Sequence, residues 1–302
     1  MALRTNVQHM AHDRNQHRHG RDAPVGGILP FLRDDDGMLR LATWNLWWRF
    51  GPWEDRQAAI VSTLDDLGAD VVCLQEVWGE EGGPDQAAVL AGGLDMQVTR
   101  THQRFRNGLS FGNAILSRHP IESAAEIALP GRDGSPGHRS AVLARVAAPF
   151  GSVPVISTHL DWQYDGSLAR QNQVAALFDL AARHHRGDGF PVVVGGDFNA
   201  VPDSVEIGMM TGRHPPPREG LAFIDSWAAV GRGDGITWTR GNPHAAQAQS
   251  PERRLDYVFV AWPRDKPVGN VVRAELFGVE PVGGLVPSDH YGVFVDLVTP
   301  ED

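Results

Sequence analysis

Six short apolar runs of the 302-residue sequence carry a polar cluster at one end. The clusters are Trp44-Asn45, Gln75-Glu76, Thr158-His159-Leu160-Asp161, Gly196-Asp197-Phe198-Asn199, Arg254-Leu255-Asp256-Tyr257 and Ser288-Asp289-His290. Carboxylates, amides and histidines are costly to bury unless they pair or bind a metal. A single cluster of this kind is typical of a turn or a helix cap. Six in one chain predict a shared cleft, if the strands pack in adjacent sheets.

The side-chain types in these clusters indicate metal-assisted hydrolysis of a phosphoester. They are one glutamate, two asparagines, three aspartates and two histidines: Glu76, Asn45, Asn199, Asp197, Asp256, Asp289, His159 and His290. Oxygen ligands of this kind suit Mg²⁺ or Mn²⁺, and histidine transfers protons near neutral pH. The single cysteine, Cys73, excludes an intramolecular disulfide and a cysteine-based zinc cluster.

The elements that must position these clusters are strands with a few helices. The apolar runs predict strands at 39–44, 71–74, 113–116, 141–146, 153–157, 192–194, 257–261 and 293–298. Several runs are continuous rather than alternating, as expected for strands covered on both faces. Helical spacing predicts helices at 57–67, ended by Gly68, and at 167–183. Strands and helices mix along the chain, which favours one α/β domain over residues 38–302.

Residues 1–37 differ in composition from the rest of the chain. They are polar, contain four histidines (His9, His12, His17 and His19) and end near the acidic run Asp34-Asp35-Asp36. This segment lacks a sustained hydrophobic period and is predicted to be a disordered arm. No apolar window is long enough to span a membrane, and the first residues do not form a signal peptide, so a cytoplasmic location is expected.

The net charge of the chain bears differently on general nucleic-acid binding and on a local phosphate site. The formal charge of −10 argues against a protein that coats nucleic acid through a general basic surface. It does not argue against a local phosphate site, because one positive cleft can attract a polyanion.

Seven motifs, in order, resemble those of the endonuclease/exonuclease/phosphatase superfamily. They are Thr43-Trp44-Asn45-Leu46, Leu74-Gln75-Glu76-Val77, Gly112-Asn113-Ala114-Ile115-Leu116-Ser117-Arg118, Ser157-Thr158-His159-Leu160-Asp161, Gly196-Asp197-Phe198-Asn199, Arg254-Leu255-Asp256-Tyr257-Val258 and Ser288-Asp289-His290. The superfamily includes exonuclease III, pancreatic deoxyribonuclease, inositol polyphosphate 5-phosphatases and neutral sphingomyelinases. The resemblance implies a four-layer α/β sandwich, two mixed sheets face to face with helices outside, and a site at one end.

The resemblance also implies a role for each motif residue. The implied ligands of Mg²⁺ or Mn²⁺ are Asn45, Glu76 and Asp289. The implied catalytic residues are His290 as general base, Asp256 as its orienting group, and Asp197, Asn199 and His159 around the phosphorus.

Three further residues are considered for substrate binding. Asn113 is either a phosphate contact or a structural amide. Arg118, and with it Arg139, is either a phosphate clamp or an ordinary surface arginine.

Two positions indicate the branch of the superfamily. The resemblance places His159 where apurinic endonucleases carry tyrosine, and Trp47 where repair enzymes carry an acidic residue. Both differences disfavour abasic-site repair. A deoxyribonuclease-like phosphodiesterase acting on nucleic acid is therefore expected first.

Three alternatives to this function stay open. They are a phosphatase of inositol or lipid phosphates, a sphingomyelinase-like phospholipase, and an inactive phosphoester-binding scaffold. The aromatic cluster Trp47-Trp48-Phe50-Trp53 is interpreted as core packing, or else as a base-stacking or lipid-facing rim.

Overall fold

The computed structural model describes residues 37–101 and 105–301. The predicted N-terminal arm lies outside the described residues except for Gly37, so its disorder and the domain boundary at residue 38 stay predictions. The first strand of the described chain begins at Met38.

The described chain contains twelve strands and five helices. The strands are β1 (Met38–Asn45), β2 (Val71–Glu80), β3 (Gln97–Arg100), β4 (Leu109–Ser117), β5 (Ile121–Pro130), β6 (Pro136–Ala148), β7 (Gly151–His159), β8 (Val193–Asp197), β9 (Ala222–Asp225), β10 (Asp256–Trp262), β11 (Val271–Phe277) and β12 (Gly292–Val298). The helices are α1 (Trp53–Leu67), α2 (Gln86–Gly93), α3 (Ser167–Ala182), α4 (Val205–Thr211) and α5 (Ser226–Val230).

The strands form two mixed sheets of six strands each. The first sheet has the order β11-β12-β1-β2-β4-β3, and the second has the order β5-β6-β7-β8-β10-β9. Only β1 with β2 and β7 with β8 pair in parallel. Each parallel pair is joined through a helix, α1 or α3, as a parallel connection requires. The carboxyl ends of these two strand pairs carry polar clusters, with Asn45 and Gln75 at the first and His159 and Asp197 at the second.

Two apolar layers hold the sheets and helices together. One lies between the sheets, where Leu41 and Val71 of the first sheet belong to the same buried cluster as Val155 and Val258 of the second. The other lies on the outer face of the second sheet, under the α3 residue Phe178. Helix α1 buries Ile60, Leu64 and Leu67 and ends at Gly68, whose φ of 61° is the left-handed conformation that glycine adopts readily. The expected four-layer α/β sandwich is confirmed.

All eight predicted strands and both predicted helices are confirmed, with helix α1 beginning four residues earlier than predicted, at Trp53. The strands β3, β5, β9 and β11 were not predicted. Each lies at the edge of its sheet, and β5 is largely exposed. An edge strand with little buried apolar surface lacks the signal on which the prediction depends.

Among the described residues, no helix is both long and apolar enough to cross a membrane.

Candidate active site

Three of the predicted catalytic residues form one row across the second sheet. His159 ends β7 and pairs with Asp197 at the end of β8. Asp197 in turn pairs with Asp256, the first residue of β10. Because neighbouring strands fix this register, the three side chains reach the same edge of the sheet.

The first sheet brings Asn45 and Glu76 to its own edge. Asn45 pairs with Gln75 in the parallel β1–β2 ladder, so Glu76 follows directly. The pairing of β2 with β4 is irregular between Leu74 and Val77, and Glu76 has a positive φ of 56°. A non-glycine residue in this conformation is uncommon and often marks a functional position.

The segment before β12 carries Asp289 and His290 to the same place. The Ser288 hydroxyl donates to the Asn45 carbonyl oxygen at 2.6 Å. The Trp44 indole Nε1–H donates to the His290 carbonyl oxygen at 2.9 Å. These bonds fasten the segment to the end of β1, which explains how residues distant in sequence meet in one site.

Asp197 lies at the centre of the cluster. Its Oδ2 atom accepts from the Asn45 amide at 3.0 Å and lies 3.3 Å from Nε2 of His159 and 4.0 Å from Nε2 of His290. Its Oδ1 atom accepts from the backbone N–H of Asn199 at 2.9 Å. Burial alone would raise the pKa of Asp197, but the charge of His290 and the hydrogen bonds from Asn45 and Asn199 lower it. Asp197 is therefore an anion shared by both sheets.

His290 and Asp256 form a buried pair. The ring Nδ1–H donates to Oδ2 of Asp256 at 2.9 Å. Burial alone would lower the pKa of His290, but the carboxylates of Asp256 and Asp289 raise it well above its ordinary value of 6.5. Burial raises the pKa of Asp256 to about 6, against the opposing effect of His290. The bond orients the ring so that Nε2 faces Asp197.

His159 has the opposite electrostatic environment. The Arg139 guanidinium donates to its Nδ1 atom at 3.1 Å. Burial, together with the Arg139 charge, lowers the pKa of His159 to about 3. Because a guanidinium can only donate, Nδ1 must accept, and His159 is a neutral ring at physiological pH. The two histidines of the site therefore differ in protonation.

Oxygen atoms without protein partners indicate where a cation fits. Oε2 of Glu76 and Oδ1 of Asp289 are buried and accept no hydrogen bond from the described residues. Burial and the Asp289 carboxylate raise the pKa of Glu76 to about 7, and burial also raises the pKa of Asp289. Buried carboxylates of this kind are costly without a counter-charge. The two carboxylates fit a hard divalent cation. The oxygen of Asn45, the third ligand implied by the sequence, accepts from the backbone N–H of Trp47 at 2.9 Å.

A second group of ligand atoms lies nearby. Asp197, Asp256 and His290 each offer an atom within 4.8 Å of the others. However, the His290 Nδ1–H already donates to Asp256, and the Asn45 amide already donates to Asp197. Oδ1 of Asp256 is also buried without a partner among the described residues. We nevertheless favour Glu76 and Asp289 for the cation, because each has one free carboxylate oxygen and neither shares its other oxygen with His290.

The two predicted substrate-binding residues have different positions. Asn113 lies on β4 opposite the β2 irregularity, donates to the Ser140 carbonyl oxygen at 2.8 Å and has a buried Oδ1 atom without a partner among the described residues. Arg118 follows β4 at the far end, where it donates to the Ala69 carbonyl oxygen at 3.0 Å. The structure therefore does not bring Arg118 to the cluster, because β4 runs antiparallel to β2.

Arg139 takes the place expected of Arg118. It lies on β6, contacts His159 and interacts electrostatically with Glu76 and Asp197. The sequence indicated Arg139 and Arg118 together as either phosphate clamps or surface arginines, and nothing around Arg139 separates the two interpretations until β6 is placed beside β7.

Comparison with known proteins agrees with this geometry. A profile described as the Endonuclease/Exonuclease/phosphatase family matches residues 42–290. In a comparison with curated protein sequences, no match was found.

Solved structures resemble the chain over most of its length. An endonuclease/exonuclease/phosphatase from Beutenbergia cavernae DSM 12333 is 26% identical, with a TM-score of 0.64, over 87% of this chain and 72% of that one. D. rerio TDP2 complexed with a single-strand DNA product is 19% identical, with a TM-score of 0.71, over 87% of this chain and 100% of that one. The human Nocturnin catalytic domain with bound sulfate is 21% identical, with a TM-score of 0.66, over 87% and 94%.

The last two identities are low, so those likenesses concern the fold. The match of the family profile covers most of the chain, including every motif that contributes to the cluster. The chain therefore belongs to the endonuclease/exonuclease/phosphatase family, whose members are metal-dependent phosphoesterases, and it is a hydrolase that acts on ester bonds.

Proposed function

We propose that this protein is a Mg²⁺- or Mn²⁺-dependent phosphodiesterase that hydrolyses nucleic acid strands. The observation that carries the proposal is the orientation of His290. Its Nδ1–H donates to Asp256, and its Nε2 atom faces Oδ2 of Asp197 across 4.0 Å. The two atoms border one space, where a water molecule could be held by both.

His290 acts as the base that accepts a proton from this water. Asp256 fixes the tautomer and stabilises the imidazolium that forms, as in other pairs of base and orienting carboxylate. Asp256 first, and then Asp289, raise the pKa of His290. A cation bound by Asp289 would remove the second of these effects and lower the pKa towards the range in which the ring accepts a proton.

Arg139 and His159 hold the phosphate. The Arg139 guanidinium interacts electrostatically with Glu76 and Asp197, and its fork of donors suits phosphate oxygens. His159 is neutral, and its Nε2 atom lies 3.3 Å from Oδ2 of Asp197 and 3.0 Å from Nδ2 of Asn199. Because its Nδ1 atom accepts from Arg139, the ring positions that guanidinium beside the phosphate.

Glu76, Asp289 and Asn45 are the residues that would hold the cation. When bound, a divalent cation polarises a phosphoryl oxygen and offsets the charge on the leaving oxygen. The hard oxygen atoms of these ligands favour Mg²⁺ or Mn²⁺.

Nucleic acid is favoured as the substrate by the aromatic rings beside the site. The Phe111 ring lies 5.9 Å from the His159 ring, and 43% of Phe111 is exposed. A planar ring next to the scissile phosphate suits a nucleobase. The structurally similar D. rerio TDP2 was crystallised with a single-strand DNA product. The cytoplasmic location expected from the sequence stays a prediction.

A substrate panel tests the proposal. Plasmid DNA, single-stranded DNA, RNA, inositol phosphates and sphingomyelin vesicles are incubated with the protein in Mg²⁺, Mn²⁺ or EDTA. We expect cation-dependent cleavage of nucleic acid, reduced about 100-fold or more in His290→Ala because the general base is lost. Turnover in His290→Ala at the wild-type level would contradict the role of His290.

His119→Ala is the matched control for this panel. His119 lies beyond the opposite end of β4, 3.9 Å from Asp70, and its removal should leave turnover unchanged. Cleavage of inositol phosphates or sphingomyelin, but not of nucleic acid, would replace the proposed substrate while keeping the site.

A further inference from the structure

A cavity of about 630 Å³ opens beside the catalytic cluster. Four aromatic side chains contribute to its wall: Trp48, Phe50, Phe105 and Phe111. We call it the aromatic cavity. Arg139 lines it as well and donates to His159, so the cavity is continuous with the phosphate-binding end of the site. Its volume is within the range of cavities that bind small organic groups.

The aromatic rings form a connected surface rather than a buried core. The Trp48 ring lies 5.4 Å from Phe50 and 6.4 Å from Phe111. The Trp48 indole Nε1–H donates to the Ser110 carbonyl oxygen at 2.8 Å, which fixes the ring in place. Phe50 and Phe111 are 48% and 43% exposed. Grouped, exposed aromatic rings at the edge of a site indicate a binding surface.

The same cavity contains cationic and polar groups. Arg139 lies at its inner end, and Arg106 lies on its wall together with one acidic residue, Glu126, so that the two arginines outnumber the carboxylate. Asn107 and Ser140 contribute further polar side chains. A hydrocarbon chain in this space would leave these groups without partners, which is costly. A flat ring with polar edges, attached to a negatively charged phosphate, would satisfy both the rings and the guanidinium groups.

We propose that the aromatic cavity binds an unpaired nucleobase next to the phosphate that is hydrolysed. The inference rests on the proposed function and specifies its substrate, a single-stranded segment or end. In a duplex the bases are stacked inside the helix and cannot enter the cavity unless they unpair, which costs free energy. Single-stranded DNA should therefore be preferred to duplex DNA of the same sequence.

A binding measurement tests the inference without hydrolysis. Fluorescence anisotropy in EDTA compares a labelled single-stranded thymidine oligomer with an oligomer of the same length and charge whose bases are replaced by hydrogen. We expect the base-bearing oligomer to bind roughly tenfold more tightly or better, because its bases can stack on the aromatic rings. Equal affinity for the two oligomers, or no binding of either, overturns the inference. This comparison uses the wild-type protein and does not depend on the folding of a variant.

Variants locate the effect in the cavity. Phe50→Ala with Phe105→Ala should remove most of the difference between the two oligomers, since both side chains are exposed and neither is placed in the catalytic cluster. Trp262→Ala is the matched control: Trp262 is also 48% exposed, but it lies at the end of β10 far from Asp256. A loss of base preference in Trp262→Ala, or its persistence in the double variant, would place the base elsewhere and overturn the inference.

Hydrolysis and binding together separate the two proposals. Binding that depends on the bases, without hydrolysis of nucleic acid, would contradict the proposed function but support base binding in the aromatic cavity. Hydrolysis of base-bearing and base-free strands at equal rates would support the proposed function but contradict base binding in the cavity. Binding to phosphatidylcholine vesicles that is lost in the double variant, without binding to the oligomers, would assign the cavity to lipid and overturn the inference too.

Discussion

His159 is a buried histidine whose charge is suppressed by its surroundings. Burial and the Arg139 guanidinium lower its pKa to about 3. In the unfolded chain the same side chain has an ordinary pKa near 6.5. Below pH 6.5 the unfolded state therefore binds a proton that the folded state does not, and the free energy of unfolding falls as the pH falls.

The substitution His159→Gln should reduce this pH dependence of stability. In the wild-type protein, His159 alone lowers the free energy of unfolding by about 2 kcal/mol between pH 7.5 and pH 5, since one proton contributes about 1.4 kcal/mol per pH unit. Glutamine does not titrate in this range. The difference in the free energy of unfolding between wild type and variant should therefore change by about 2 kcal/mol between pH 7.5 and pH 5. Urea unfolding at the two pH values measures it. An unchanged difference would mean that His159 is charged in the folded protein.

The two arginines considered as phosphate clamps differ only after the strands are placed. Arg118 and Arg139 both adjoin apolar runs, and neither has a neighbouring motif that fixes its direction. The antiparallel β4 carries Arg118 to the far end of the first sheet, whereas β6 places Arg139 beside His159. Side-chain types near strand ends were therefore predictable, but strand direction, which decides which end faces the site, was not.

At the scale of elements, helix α1 positions both segments of the first sheet that carry candidate site residues. Arg56 of this helix is fully buried. Its guanidinium donates to five backbone carbonyl oxygens, those of Leu46, Trp47, Trp48, Phe50 and Pro287, at distances of 2.8 to 3.1 Å. Four of these belong to the loop after Asn45, and the fifth precedes Ser288-Asp289-His290. Burial lowers the pKa of Arg56 to about 10, so it stays charged at neutral pH.

The substitution Arg56→Ala should destabilise the fold and displace the site. Removing the guanidinium leaves several buried carbonyl oxygens without a donor, for an expected loss of about 3 kcal/mol or more. Activity should fall even at temperatures where the variant is folded, because the loop after Asn45 and the segment before His290 lose their common anchor. Thermal unfolding and turnover measured below the transition check both effects.

The control for this substitution is Arg218→Ala. Arg218 donates to Asp179 at 2.7 Å, but both side chains are about half exposed. Loss of such a surface pair should change stability by about 0.5 kcal/mol or less. An Arg56→Ala variant as stable and active as Arg218→Ala would show that the loops are held by other contacts.

The central strands could be predicted because burial on both faces gives them continuous apolar sequences. Strand β8 is buried throughout, and β12 is buried along nearly its whole length. The edge strands lack this signal. The five residues from Glu122 to Glu126 in β5 are all exposed, and β9 has only four residues. Such strands form because a neighbour offers hydrogen bonds, which is a property of the fold rather than of the local sequence.

The aromatic cavity likewise could not be predicted from the local sequence. The sequence placed Trp48 and Phe50 directly after Asn45 and left core packing and base stacking as alternatives. Phe105 and Phe111 are more than 50 residues further along the sequence, and only the arrangement of the strands brings them next to Trp48 and Phe50. Motif residues could be assigned one by one, whereas a binding surface built from several loops could not.

At the scale of the whole molecule, the site exists only where the two sheets meet. Asn45 of the first sheet donates to Asp197 of the second. Close behind them, a Cβ atom on Gly195 would lie 3.0 Å from the Cys73 sulfur and 3.2 Å from Cβ of Thr43. A side chain at this position would push Cys73 or Thr43 away by a few tenths of an ångström, so glycine favours the close approach of the sheets. Separation of the sheets would dismantle the catalytic cluster and expose the layer between them.

Cys73 reports on that separation. It is the single cysteine of the chain and is fully buried between the sheets, and burial raises the pKa of its thiol to about 12. Only a thiolate that reaches solvent reacts with Ellman's reagent. We expect labelling of the native protein to be at least about 1000-fold slower than that of a free thiol, since it requires an opening that costs most of the global stability.

The dependence of the labelling rate on urea distinguishes global from local opening. If Cys73 is reached only when the sheets separate, the logarithm of the rate should rise with urea with the slope of global unfolding. Ser135→Cys in a Cys73→Ser background places a thiol at an exposed position and should react at once. Fast labelling of Cys73 with a weak urea dependence would show that the sheets part locally. The cluster at Asp197 would then open with them, and the site could not be rigid in the way that its hydrogen bonds require.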